Sequence, residues 1–338
     1  MSKGERNVTR MFPMHQGPSL LSACQLRKLA RAMVNSSNES DIKVVKKSTS
    51  KNTEQNQDER FQAGYTYLGQ FIAHDIVPKT NPRKIDRETV RPELNLDSLY
   101  GNTSDFEGSP LFDNQCFFQH KGKDFDVLRD KETGQAKIPE VRNDENVIII
   151  QFHRLWQKTH DHVIKNHVSK DLTRSQKIHE AYQIVMAIFH LIVIKDFLAK
   201  LIDKDVYDYY FKQSSDSNEY ILGPGKLKSI PLEFSLAGFR FGHSMVLSRY
   251  VLRKNSLPVE IKNLLRTATS GYLKAEEKIN WEQFFNIKTD VIAQEANLLD
   301  LDIDLPKVPD EGNIVFINLK AAQKSCLPSG FHVRNFIQ

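Results

Sequence analysis

Two long stretches with apolar residues at helical spacing, set end to end between residues 145 and 202, constrain this chain more than any other feature. The first, ENVIIIQFHRLWQKTHDHVIKNHV, predicts one helix with Phe152, Leu155, Trp156 and Val163 turned toward a core. The second, SQKIHEAYQIVMAIFHLIVIKDFLAKLI, predicts a still longer helix opened by a Ser cap. Strict apolar–polar alternation is rare along the chain, so a sheet protein is excluded. The apolar run from Ile184 to Ile194 is interrupted by His190. It is too short to span a bilayer, which takes roughly 20 apolar residues, and reads as a buried helix.

The rest of the chain fits around these helices. Residues 18–34 predict a helix with a Ser start signal, and residues 231–246 (PLEFSLAGFRFGHSMV) a shorter one. Residues 35–60 are polar and aperiodic and predict a loop; the stretch from Val77 to Pro139 is rich in turn signals. The expected architecture is mainly α, a single domain with long loops and little sheet. An N-terminal segment over residues 1–60 precedes the main domain at 61–338.

Charge and cysteines narrow the function class. A net charge of +5 spread over 338 residues forms no basic stripe, which speaks against a nucleic-acid partner. Cys24, Cys116 and Cys326 stand far apart, a sparse odd set that suits a reducing compartment better than a disulfide framework. The N-terminus shows no apolar signal core, so a cytoplasmic location is expected.

Two of the eleven histidines sit in settings that suggest chemistry. His74 ends an apolar stretch and precedes Asp75, a carboxylate able to orient a base or hold a metal. His243 lies in FRFGH, where Gly242 leaves room beside the imidazole for a flat ligand, and Arg240 one turn earlier could meet an acid on it. The pairs His74–Asp75 and His160–Asp161 also allow a metal-dependent phosphohydrolase, although two-residue motifs recur by chance.

Longer strings decide between these readings. RMFP…LARAM, AGYTYLGQFIAHDI, LNLDSLYG, VRNDEN…FHRLWQKTHDHVI, EAYQIVMAIFHLIVIKDFL, GFRFGHSMV and FINLKAAQKSCLPSG occur in this order. Each resembles a segment of the animal-type haem peroxidase superfamily, which includes myeloperoxidase, peroxinectins, cyclooxygenases and many bacterial members. The resemblance runs from about residue 9 to the C-terminus and is strongest to the bacterial branch.

The resemblance implies haem b as cofactor. It makes His243 the proximal iron ligand, with Asn318 bonded to the other ring nitrogen and Arg240 among the haem contacts. His74 becomes the distal acid–base, Arg142 the distal cation and Gln70 a distal-cavity residue. Asp75 and the LNLDSLYG loop, through Asn95 and Asp97, match a calcium site. Ala73 stands where many members carry an ester-forming aspartate. Glu145 keeps the second such position, so at most one ester link to haem is expected, and Asn146 excludes a sulfonium link. Asn95 and Arg91 depart from the calcium pattern, and Ala321 replaces an arginine one turn after Asn318. Family members run on well past LPSG, so a chain ending at Gln338 reads as a short member.

The expected function is a haem peroxidase that reduces hydrogen peroxide and oxidises small donors, phenols or halides, in a response to oxidative stress. A non-catalytic haem-binding member is the alternative. A fatty-acid dioxygenase is disfavoured, because Arg240 stands where such enzymes carry their radical tyrosine and Phe241 cannot replace it.

Overall fold

The computed structural model describes residues 22–32, 61–77, 94–101, 106–120, 123–211, 230–267, 270–299 and 314–328. The polar stretch at 35–60, Arg91 and the end of the LPSG string lie outside the described residues. Helices carry the structure: α1 (Ala23–Ala32), α2 (Ala63–Ile76), α3 (Asp97–Tyr100), α4 (Val147–Asn166), α5 (Arg174–Ile192), α6 (Lys204–Phe211), α7 (Leu232–Leu236), α8 (Ile261–Leu264) and α9 (Ile314–Lys324). The described strands are β1 (Arg249–Tyr250) and β2 (Val259–Glu260), antiparallel, with Arg249 opposite Glu260. The mainly α expectation holds. No helix among the described residues is long and apolar enough to cross a membrane.

The chain divides into two compact units interleaved along the sequence. The first takes Met1–Thr9, Tyr67–Ile230 and Leu264–Ile279; the second takes Arg10–Thr66, Pro231–Asn263 and Asn280–Gln338.

In the first unit α4 packs along α5. Val147–Ile150 open α4 with four buried residues in a row. β-branched side chains are indifferent helix formers, so burial on all sides, not propensity, makes this turn helical. Asn146 caps it: its side-chain oxygen accepts from the N–H groups of Ile148 and Ile149 at 3.0 and 2.8 Å. Phe152, Trp156 and Val163 are buried as expected, and Leu155 is half-buried. Phe71 of α2 stacks on Trp156 at 5.7 to 6.1 Å from the Phe152 and Trp156 rings, and Phe189 of α5 meets both Phe71 and Trp156 edge-on. Each such buried ring stabilises the unit by roughly 1.5–3 kcal/mol.

α5 begins two residues earlier than the Ser cap implies. Thr173 is the N-cap, and Gln176 completes a capping box by accepting from the Thr173 N–H at 2.9 Å. A threonine followed three residues later by glutamine outcompetes Ser175, which has no such partner residue at its own N3. Beyond Ile192 the helix continues through a π turn, Val193–Leu198, to Leu201.

A second aromatic cluster surrounds His160. Its Nε2 lies 3.0 Å from the Cys116 carbonyl oxygen, which can only accept, so Nε2 carries the proton. Nδ1 then accepts from the Tyr100 hydroxyl at 3.1 Å. Burial pushes the His160 imidazole down to about 4, against the pull of that carbonyl. The unfolded chain binds this proton near pH ~6.5 and the folded unit does not. The His160 contribution is therefore complete above about pH 6.5 and is lost as pH falls toward 4. Asp161, which burial pushes up to about 6, works in the opposite direction below that pH. His160→Gln is expected to flatten stability against pH between about pH 6 and 5 by up to ~1.4 kcal/mol per pH unit. Thermal melts across that window measure it, and an unchanged slope would refute the assignment.

In the second unit α1 packs on α9, with Ala30 and Val315 at the centre and Ile314, Phe316 and Leu319 around them. Tyr250 of β1 stacks on Phe284 at 5.8 Å. The segment 231–246 differs from the expected single helix: α7 stops at Leu236, and Gly238–Met245 forms a 3-10 helix. Gly238 just after Ala237 interrupts the α pattern, and the tighter winding places residues three apart in line.

Candidate functional site

Helix α2 carries Gln70, His74 and Asp75 in the first unit. The four-residue spacing of Gln70 and His74 puts both on one face. Nδ1 of His74 lies 2.7 Å from Oδ1 of Asn143. Asn143 belongs to a 3-10 turn, Val141–Asp144, which also presents Arg142. An amide oxygen only accepts, so in this arrangement Nδ1 of His74 carries the proton and Nε2 carries the lone pair.

Arg142 is fixed from two sides. One amino nitrogen donates to the carbonyls of His74 and Val77 at 2.9 Å each and to the Glu140 carboxylate at 2.9 Å. The guanidinium thus closes the C-terminal end of α2, where carbonyls lack helical partners and a cation is favoured. Glu140 also accepts from the Arg142 backbone N–H at 2.8 Å. Burial pushes the Glu140 carboxyl up, but the hydrogen bond and charge of Arg142 outweigh it and hold it below its usual range. Nε of Arg142 is buried with no hydrogen-bond partner.

A buried ion cluster holds the turn that presents these residues. Arg129, fully buried, donates to Asp126 at 3.0 Å and to Asp144 at 2.7 and 2.8 Å. Arg266 adds a bond to Asp144 at 3.0 Å, and its backbone N–H donates to the Glu145 carbonyl at 2.7 Å. Asp144 ends the 3-10 turn, so the cluster sets where Arg142 and Asn143 lie.

The other expected residues of this unit are placed as follows. Gln70 is reached by Nδ2 of Asn146 at 3.5 Å. The side chain of Glu145 is exposed, next to that cap residue. Asp75 is brought to the Asn95–Ser98 loop, where its two oxygens accept from the N–H groups of Leu96 and Ser98 at 3.1 and 3.0 Å. Burial pushes its carboxyl up to about 6 in spite of these bonds. Leu94 and Leu96 both adopt positive φ, 52° and 60°, a strained conformation for leucine that Asp75 helps to hold. The Asn95 side chain accepts from the Asp97 N–H at 3.3 Å. No group of three or more His, Cys, Asp or Glu side chains suited to a metal ion occurs among the described residues, so neither His–Asp pair sits in such a cluster.

The second unit holds His243, Arg240 and Asn318. Nδ1 of His243 is 3.0 Å from Nδ2 of Asn318 on α9. The amide nitrogen faces the ring in this arrangement; a half-turn of the amide would present its oxygen, hold the proton on Nδ1 and leave the lone pair on Nε2. Burial, and then the charge of Arg240, pushes His243 down to about 4, so it is neutral at pH 7. Arg240 donates its Nε to the Ser235 carbonyl at 3.1 Å. A Cβ placed on Gly242 would meet nothing within 4 Å. Within the second unit, that space beside a neutral imidazole fits a flat cofactor such as haem.

Glu140, Asn143 and His153 were not singled out by sequence. Asn143 lies within the quoted VRNDEN string and Glu140 two residues before Arg142, but polar residues in a turn-rich stretch carry no periodic signal.

A helical first unit with the half-buried His74 and Arg142 set side by side is in keeping with a haem-peroxidase-like fold. The comparisons agree, and the chain belongs to the animal haem peroxidase family, whose model matches residues 113–300, more than half its length. The fold is similar to that of peroxidase A from Dictyostelium discoideum (TM-score 0.58, 14% identity, 84% of this chain and 67% of that one). It is also similar to that of a fatty acid alpha-dioxygenase from Oryza sativa (TM-score 0.52, 16% identity, 81% of this chain and 57% of that one). No curated protein matches the sequence.

Proposed function

We propose that this chain is a haem-dependent peroxidase that reduces hydrogen peroxide at the expense of small neutral donors such as phenols. The observation that carries this reading is the junction of α2 with the 3-10 turn. There a histidine with its Nδ1 proton engaged by Asn143 adjoins an arginine with one donor still unpartnered. Haem would be held by His243 and would supply the redox centre that accepts oxidising equivalents from peroxide. Nε2 of His74 takes the proton from one peroxide oxygen and returns it to the other as the O–O bond breaks. Asn143 stays bonded to Nδ1 in both charge states of the ring, so the imidazole need not turn. Arg142 stabilises negative charge on the departing oxygen. One peroxide and two phenols give two waters and two phenoxyl radicals.

Phenols are favoured over halides because the Glu140 carboxylate, 2.9 Å from the guanidinium, offsets the charge that would attract an anion. Arg240 three residues before His243 offers no phenol for a radical, which disfavours the dioxygenase reading. Glu145 remains the residue for a single ester link, Asp75 with Asn95 and Asp97 for calcium, and the cytoplasm the proposed location. The test is steady-state turnover of hemin-loaded protein: peroxide-dependent oxidation of a neutral phenol is expected. Dioxygen uptake with a fatty acid, without phenol oxidation, would replace this reading by the dioxygenase.

A further inference from the structure

Behind His74 a chain of buried polar side chains runs into α4. Asn143 Nδ2 lies 3.1 Å from Nδ1 of His153. Nε2 of His153 lies 3.4 Å from Nε2 of Gln157, and Oε1 of Gln157 accepts from Arg154 at 3.2 Å. Arg154 in turn lies 3.5 Å from the Asp161 carboxylate and donates toward the Asp124 carbonyl at 3.4 Å. Asn143 and His153 have no solvent exposure, and Arg154 and Gln157 almost none. Burial, and then the adjacent Arg154, pushes His153 down to about 3, so it is neutral across the working range of pH.

A neutral imidazole has one donor and one acceptor, yet two amide NH2 groups face His153, one at each nitrogen. One link must therefore be mismatched. The distances locate it: 2.7 Å at His74–Asn143, 3.1 Å at Asn143–His153 and 3.4 Å at His153–Gln157. The long link is the poor one, and a half-turn of Gln157 would mend it, because Arg154 has further acceptors in Asp161 and Asp124.

We propose that His153 is a positioning residue that selects the tautomer of His74: its Nδ1 accepts from Nδ2 of Asn143, which turns the amide oxygen to His74 and keeps that proton on Nδ1. This rests on His74 being the proton carrier of the proposed peroxidase. Without the acceptor on His153, Asn143 can rotate and present its NH2 group to Nδ1. The His74 proton then moves to Nε2, the nitrogen that has to receive a proton from peroxide.

The test reads the tautomer directly, by ring nitrogen-15 NMR of histidine-labelled, haem-free protein at a pH where His74 is neutral, with His74→Gln to assign its signals. Wild type is expected to carry the His74 proton on Nδ1. In His153→Phe, which keeps a ring without an acceptor, the signal is expected to shift to the Nε2–H form or to a mixture. His153→Gln, which restores an acceptor oxygen, is expected to return it to Nδ1. His153→Leu repeats the test if the Phe variant does not fold. An Nε2 proton on His74 in wild type, or an unchanged Nδ1 proton in a folded Phe or Leu variant, would overturn the proposal. Hemin uptake does not enter this measurement, so failure of the peroxidase reading is seen separately in a hemin titration.

Discussion

His74→Ala is expected to slow the reaction of the hemin-loaded protein with hydrogen peroxide by roughly 10²–10⁴-fold, the usual contribution of a positioned acid–base. Hemin binding should be nearly unchanged, because His74 is assigned a proton and not the iron. The substitution removes the imidazole bonded at Nδ1 to Asn143 and leaves the backbone carbonyl that accepts from Arg142 in place. Small to moderate loss of stability is expected as well, since Asn143 is buried and would lose a partner. Stopped-flow traces at several peroxide concentrations separate these effects. A slowing of less than tenfold in a folded, loaded variant would remove His74 from the reaction.

Arg129→Met carries the largest expected cost in stability. Arg129 has no exposed side-chain surface and stands between Asp126 and Asp144. Removing it leaves Asp126 buried and Asp144 nearly so, with Arg266 the cation still bonded to Asp144. Breaking a buried ion pair from one side costs about 3–5 kcal/mol, because the abandoned charge has lost its water as well as its partner. A fall in melting temperature on the order of 10 °C follows for a unit of this size. Asp126→Asn in the same background should recover part of the loss. If Arg129→Met melts within a degree or two of wild type, the cluster is not what holds the turn bearing Arg142 and Asn143.

The helical core was legible because its signal is periodic. Phe152, Trp156 and Val163 recur at helical spacing and are buried where that spacing puts them. The start of α5 was misjudged by two residues, since Ser and Thr both cap and only the Gln176 partner distinguishes Thr173. The change to a 3-10 helix at Gly238 was not legible, because a glycine alone does not say how the chain winds after it. His74, Arg142, His243 and Asn318 came from collinear strings, and the structure pairs His74 with Asn143 and His243 with Asn318. Glu140, Asn143 and His153 were missed for a physical reason. The roles of Asn143 and His153 come from contacts made 10 and 69 residues away along the chain, which local spacing does not record. Glu140 gains its role only because Arg142 two residues on is turned to the end of α2.

The most direct test of the central claim is the absorption spectrum of the purified protein titrated with hemin, beside His243→Ala and before and after hydrogen peroxide. A Soret band typical of histidine-ligated haem, absent in the variant and altered by peroxide, is the expected result. Folded protein that takes up no hemin, or a variant whose band matches wild type, would contradict the assignment of His243 and with it the peroxidase reading.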